Sequence, residues 1–549
     1  MGDSERLKAL TKKIDGQSYS AYRQLKGVWD LEGFSLVVDR VQGDPFAAPS
    51  RIRLRTKGRV PVDVLECGDG KVAAEDWLLR RFVGALNGQR RGSGRSGELS
   101  CLRPGPEIEE RSAIRILSDG VVEARLRVGL PARGRRVLGR EAWFLIDEDL
   151  RHAAKVLTEA EGLLKHVESV RTQRTLRRAL TERGLVSFVA NGSVLPRASG
   201  VSALPLTDAI PFHSPESLQV SIEVNGIELT GMGIPEGVTV IVGGGFHGKS
   251  TLLNALQRGH LDHVPGDGRE RVVSVPDTVK VRAEDGRRVC DVDISPFLKG
   301  LPRNRSTRPF ATEDASGSTS QAAAIVEAIE VGASVLLVDE DTSATNLLFC
   351  DPRMRLLIDA SAEPITPFVA RVRQLFNEIG VSTVIVIGGV ADYLGVADTV
   401  VGMVNFEPHD LTVQARAVVP TDLANPGPLE LSLERRPLAV GLAPGKMKAR
   451  DHRRIQYGDH DVDLVGVETI LSADHAWSVA HGMAALHAIA DGRHTLSSLL
   501  DRMDGRLDEE GPDCLSDRPV GDLIRPRRHE VAAALNRHRG LQVVRPDKN

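Results

Sequence analysis

Aromatic residues are scarce in this chain, 4% of 549 residues, and no run of about 18 apolar residues occurs. The sequence therefore offers no helical membrane span. The opening stretch MGDSERLKALTKKIDG lacks the apolar centre of a secretory signal, so a cytoplasmic protein is expected. Cysteine is also sparse. The five residues Cys67, Cys101, Cys290, Cys350 and Cys514 are odd in number, widely spaced and without a CxxC pair, which argues against a disulfide framework or a zinc site and predicts reduced, buried thiols. Excess charge of either sign is missing as well. A formal net charge of -3 excludes global attraction to nucleic acid or acidic lipid, so any such partner must be held by local patches.

What is present is the composition of a folded globular chain, 41% hydrophobic and 26% charged, long enough for two to four domains. Residues 1–160 mix a charged helix, alternating stretches such as FSLVVDRV and a Gly/Arg-rich segment, NGQRRGSGRSGELSCLRPG. They read as an α+β domain with a mobile loop. A charged helical run ends at Gly184 and leads into a strand, so a second domain is placed at 161–425. Within it, residues 235–404 alternate apolar strands (VTVIV, SVLLVDE, STVIVIGG) with helical stretches, the pattern of a mainly parallel sheet covered by helices. A Pro-rich stretch at 425–445 reads as a linker. Residues 426–549 then form a small α-rich C-terminal domain.

The stretch IVGGGFHGKSTLLNAL carries Gly243, Gly248, Lys249 and Ser250 in the spacing G-x-x-x-x-G-K-[ST], after a strand at Val238 to Val242 and before a helix. Glycines let the backbone N–H groups of Gly243, Gly244, Gly245, Phe246, His247, Gly248 and Thr251 wrap a phosphate, and the helix N-terminus adds partial positive charge. Lys249 supplies a point charge to the β/γ oxygens, and the Ser250 hydroxyl suits Mg²⁺. Neither His247 nor Phe246 is assigned any chemistry of its own. The required carboxylates are found in SVLLVDEDTSATN, where Asp339 and Glu340 end an apolar strand. Asp339 is expected at the metal, and Glu340 where it can polarise an attacking water. These residues imply ATP with Mg²⁺ as the cofactors.

Upstream, EDASGSTSQAAAIVEAIEVGASVLLVDEDTS resembles the ABC ATPases. Ser316, Gly317 and Ser318 are similar to that family's signature turn, and placing Ser316 on the signature serine puts Asp339 and Glu340 on the family's acidic pair without a gap. Gln321 then falls on a second glutamine, and DTSATN, Asp341 to Asn346, on the D-loop, with Asp341 and Asn346 as departures. Two further departures stand out. Gly388-Gly389 occupies the place of the switch histidine, which implies slow hydrolysis. Gln257 is the only glutamine between Leu256 and Ser316, so the glutamine that senses a transporter's membrane partner is missing. VQGDPFAAPSRIRLR, GMGIPEGVTVIVGGGFHGKSTLL, DISPFLKGLP and RPRRHEVAAALNRHRG extend the resemblance along nearly the whole chain, to the soluble predicted ATPases of the ABC class. It implies an ABC core flanked by family-specific N- and C-terminal domains, and some relatives are associated with RNA. One signature and one P-loop per chain imply an ATP-sandwiched, head-to-tail homodimer with Ser316 and Gly317 reaching across.

Between Arg80 and Arg140 there are 14 Lys/Arg against 6 Asp/Glu. Arg81, Arg90, Arg91 and Arg95 could follow a phosphate backbone, as could Lys446, Lys448 and Arg450, with further clusters at Arg453–Arg454 and Arg525–Arg528. Without interleaved aromatics, recognition of RNA would rest on charge and shape. His475, His481 and His487 are spaced by six on a helical pattern, fall on different faces and read as ordinary helix residues. The competing functions are a nucleotide-gated protein-interaction module with negligible hydrolysis and the motor subunit of a transporter.

Overall fold

The computed structural model describes residues 2–58, 60–89, 91–301, 305–349, 363–418 and 426–544. They divide into two compact units, Met1–Arg171 with Glu509–Arg525, and Thr172–Asp508 with Pro526–Asn549.

The first unit is built on an antiparallel sheet. Strands β1 (Gly27–Leu31), β2 (Phe34–Arg40), β3 (Ser50–Lys57), β4 (Leu99–Ser100), β5 (Ile114–Ile116) and β6 (Val121–Val128) lie in the order β1-β2-β3-β6-β4, with β5 also on β6. Strand β3 shows why: Ile52 and Leu54 are buried, while the alternating Arg53 and Arg55 reach Glu123 on β6 at 3.0 and 2.7 Å. Period two thus sends the apolar set into the core and the arginines to a carboxylate. Helix α1 (Gly68–Ala85) buries Leu78, Leu79 and Phe82. The Gly/Arg-rich segment is not the mobile loop its composition suggests. Arg95 N–H donates to Pro45 O at 2.8 Å, Gly97 N–H to Gly129 O at 2.7 Å and Ser93 N–H to Ala132 O at 2.7 Å. Gly88, Gly92, Gly94 and Gly97 are there because neighbouring backbone approaches too closely for a side chain.

In the second unit a six-stranded sheet carries the motifs. Strands β7 (Val238–Val242), β8 (Thr278–Val281), β9 (Val335–Asp339), β10 (Ser382–Val386), β11 (Thr399–Val404) and β12 (Glu407–Asp410) lie in the order β8-β9-β10-β7-β11-β12. All pairs are parallel except β11–β12. Both faces are buried, which is why these strands read as continuous apolar runs. Leu336 and Val338 face one core with helices α3 (Gly317–Glu330) and α4 (Phe368–Ile379). Val335 and Leu337 face the other with helix α2 (Lys249–Arg258).

The stretch expected as a linker packs closely over its described part. Leu429, Leu431 and Leu433 lie against the core, and Arg435 is bound to Glu330 of α3, each side chain 2% exposed. The C-terminal part adds a three-stranded antiparallel sheet, β13 (Met447–Ala449), β14 (Arg454–Tyr457) and β15 (His460–Asp463), beside helices α5 (Ala473–Ile489) and α6 (Arg528–Arg537). Its histidines serve packing: His475 Nε2 is 3.0 Å from Glu530, and His481 stacks edge-on to Trp477. Among the described cysteines only Cys290 is buried, and Cys67 is exposed, contrary to the expectation of buried thiols; Cys350 lies outside the described residues. No helix among the described residues is long and apolar enough to cross a membrane.

Removing one member of a buried ion pair leaves the other charge uncompensated, whereas replacing both with apolar groups is close to neutral. Arg435→Met should therefore cost about 3–5 kcal/mol of stability, read as a lowered denaturation midpoint, and the double variant with Glu330→Met should recover most of it.

Candidate functional site

Register fixes the site. In the parallel sheet Ile241 lies level with Val386, and Val386 level with Asp339. The glycine loop after β7 and the acidic pair after β9 therefore emerge at the same carboxyl edge, two strands apart, or about 10 Å at ordinary strand spacing. On the other side of β7, Val242 is level with Gly402 of β11.

Two glycines of the loop are required by its path. Gly243 has φ +147° and Gly248 φ +96°, and a Cβ on Gly243 would stand 2.4 Å from Met403 O. Gly244, Gly245 and Phe246 are open to solvent. Lys249 Nζ donates to the carbonyls of Gly243 and Gly244 at 2.7 and 2.8 Å, so the cation is held over the loop's own backbone. His247 acts as a structural clasp. Its Nδ1 accepts the Asn405 N–H at 2.7 Å and its carbonyl the Phe406 N–H at 3.2 Å, which fastens the β11–β12 turn to the loop. Ser250 and Thr251 begin α2, partly exposed.

Asp339 is 5% exposed, and burial pushes its carboxyl above the ordinary carboxylate range, opposed by the nearby Lys280. Lys280 itself is paired with Glu468 at 2.9 Å, and Asp339 has no ion-pair partner among the described residues. A buried carboxylate in that state, together with the Ser250 hydroxyl in the first turn of α2 at the same edge of the sheet, is an all-oxygen donor set suited to a hard cation such as Mg²⁺. The open glycine loop at the N-terminus of α2 suits a polyphosphate.

The place of Glu340, directly after β9, was legible in the sequence; its partners were not. Its Oε2 accepts N–H bonds from Gly388 at 2.5 Å and Gly389 at 3.3 Å. The two glycines standing where a histidine side chain was expected thus offer main-chain donors to the acidic residue. No motif foretells this, because a backbone N–H is common to every residue but proline.

Ser316 is the N-cap residue of α3 and is exposed, its Oγ 3.1 Å from Thr319 Oγ1. Two side chains of α3 hold the stretch after the acidic pair. Gln321, fully buried, donates to Ser343 Oγ and accepts the Ala344 N–H, both at 2.8 Å, and Ser318 Oγ donates to Asn346 Oδ1 at 2.8 Å. Gly317 begins the helix beside Ala344.

The basic residues separate into two groups. Arg91 is paired with Asp149 at 3.0 Å, Arg95 with Glu98 at 3.3 Å, and Arg81 with Glu159 while lying over Trp77. Arg90 lies outside the described residues. Arg525, Arg527 and Arg528 are likewise engaged, with Glu110, with the carbonyls of Pro276 and Thr278, and with Asp501 and Asp504. Lys446, Lys448 and Arg450, in contrast, are exposed on and beside β13, with no ion-pair partner among the described residues.

Three family models match along the chain. Residues 159–426 match the P-loop domain of the ABC ATPases, residues 4–159 the N-terminal domain described as "ATPase of the ABC class N-terminal", and residues 446–544 the MRB1590 C-terminal domain. The uncharacterized protein MJ1628 of Methanocaldococcus jannaschii is 36% identical over 196 residues, 34% of this chain and 44% of that protein, so the match spans less than half of the relative. Among solved structures, cbiO1 from Clostridium perfringens, part of an ABC transporter complex, aligns over 41% of this chain and 87% of its own at 15% identity with a TM-score of 0.25. The ADP conformation of MJ1267, an ATP-binding cassette of an ABC transporter, aligns over 36% and 91% at 12% identity with a TM-score of 0.23.

Gln321→Leu removes both bonds to the 343–344 backbone and side chain and leaves a partly buried N–H without a partner, a loss of about 1–3 kcal/mol. Denaturation should register that loss, and limited proteolysis should cut the 341–346 stretch faster than in the parent chain.

Proposed function

We propose that this chain, which belongs to the ATPases of the ABC class and carries the N-terminal domain of that class and an MRB1590-type C-terminal domain, closes on ATP as a head-to-tail homodimer. In this reading it hydrolyses the nucleotide slowly and couples its state to nucleic acid, RNA before DNA, in the cytoplasm. The proposal divides the chain at 160/161 and 425/426, boundaries that the extents of the three matched models support. It is carried by one observation: the P-loop and the acidic pair leave the same edge of one parallel sheet in register.

Each residue then has its part in the reaction. The N–H groups of Gly243 to Gly248 and of Thr251 cradle the phosphates, and Lys249 exchanges its carbonyl partners for β/γ oxygens. Ser250 and Asp339 would hold Mg²⁺, which when bound neutralises charge on the phosphate oxygens. Glu340 orients and polarises the attacking water. Its Oε2 already accepts the two N–H groups of Gly388 and Gly389, which leaves Oε1 for the water, and that shared engagement supports slow turnover. The exposed Ser316 turn, with Gly317 and Ser318 behind it, supports a signature that completes its site on a second copy. Phe246, 99% exposed on the P-loop, is an apolar group such a copy would cover.

Glu340→Gln keeps the shape and removes the base. Turnover should fall about 10²- to 10⁴-fold while ATP binding persists, and sedimentation should reveal a dimer that forms with ATP and dissolves when it is withdrawn. A variant that binds ATP and stays monomeric rules out the sandwich. A nucleotide-gated docking protein without turnover is the second reading, favoured by the hold on Glu340; it prevails if the parent dimerises on ATP and hydrolyses none.

For nucleic acid the weight falls on Lys446, Lys448 and Arg450, because Arg81, Arg91 and Arg95 already have carboxylate partners. Three phosphate contacts on a single strand imply that affinity falls roughly twentyfold between 50 and 200 mM salt. Changing all three to Glu should remove that dependence, measured by fluorescence anisotropy with a labelled single-stranded RNA. Equal affinity at both salt concentrations ends the RNA reading.

A further inference from the structure

The β11–β12 hairpin closes on two residues, Asn405 and Phe406, with φ of 49° and 71°. This is a type I′ turn, in which the second position favours glycine. A phenylalanine there is strained, and strain of this kind gathers at functional sites. Burial does not compensate it, because Phe406 is 52% exposed. The turn is nevertheless held firmly: both of its N–H groups are bonded to His247, and the Phe406 ring stands 3.1 Å from where a Cβ on Gly248 would be. A half-exposed, strained aromatic ring is thus fixed against the P-loop.

Strand order says which end of a nucleotide it meets. The acidic pair lies two strands from β7 on one side, and the Phe406 turn follows the adjacent strand on the other. A triphosphate seated on the loop with its γ end towards Asp339 and Glu340 runs, at its opposite end, towards β11. We propose that the Phe406 ring is the platform on which the purine base of ATP stacks. Stacking on an aromatic face needs only a flat apolar surface held in place, and the two hydrogen bonds to His247 hold it. The proposal rests on the P-loop reading given above.

Titrations of the full chain with ATP and with inorganic tripolyphosphate separate the base platform from the phosphate cradle. Phe406→Gly should raise the thermal midpoint, because glycine relieves the turn, and weaken ATP about tenfold while leaving tripolyphosphate within twofold of the parent. Phe406→Trp should keep ATP affinity near the parent value. Lys249→Ala should weaken both ligands. If Phe406→Gly binds ATP as the parent does, or loses both ligands equally, the base platform is refuted. If Lys249→Ala changes neither, the P-loop reading itself fails.

Discussion

The molecule depends on one constraint: parallel strands buried on both faces must satisfy every main-chain donor and acceptor through their neighbours. That requirement locks β9, β10, β7 and β11 into a single register, and everything chemical follows from where the strands end. The glycine loop, Asp339, Glu340, the Gly388–Gly389 pair and the Asn405–Phe406 turn all leave the sheet at its carboxyl edge. In open α/β sheets ligands gather at that edge because strands there give way to loops with unspent hydrogen-bonding groups. A one-residue slip of β9 would turn its alternating core residues to the wrong faces.

Much of the site is made of backbone. Lys249 rests on two carbonyls, Glu340 on two N–H groups, and the hairpin turn on His247 through main-chain donors. Side chains enter mainly as clamps, as when Gln321 and Ser318 tie the 343–346 stretch to α3. The first unit follows another rule. In that unit Arg53, Arg55, Arg91 and Arg125 meet carboxylates of their own chain, so part of the local excess of positive charge in the sequence goes into internal pairs, while Arg133, Arg135, Arg136 and Arg140 are exposed.

This explains which features could be read from the amino acids alone. Periodicity and spacing located β7, α2, β9 and α3, because apolar runs ending in glycine or in acid have few other uses. The place of Asp339 and Glu340 at the end of an apolar strand was legible for the same reason. The partners of Glu340 were not, since a backbone N–H leaves no mark on residue identity. The Asn405–Phe406 turn escaped notice because phenylalanine is not a turn residue. The carboxylate partners of Arg81, Arg91 and Arg95 could not be read because composition counts charges without pairing them, and the Gly/Arg-rich segment resembled a flexible linker because close approach and flexibility both select glycine.

Holding the acidic residue by main-chain amides rather than by an imidazole has a chemical corollary. A histidine at that place would gain and lose a charge near neutrality, whereas the N–H donors of Gly388 and Gly389 do not ionise in any physiological range. The donors that hold Glu340 thus keep their charge state over the span in which an imidazole would lose its positive charge. Control of release falls instead to geometry, to whatever displaces the loop at 388–389 relative to the end of β9.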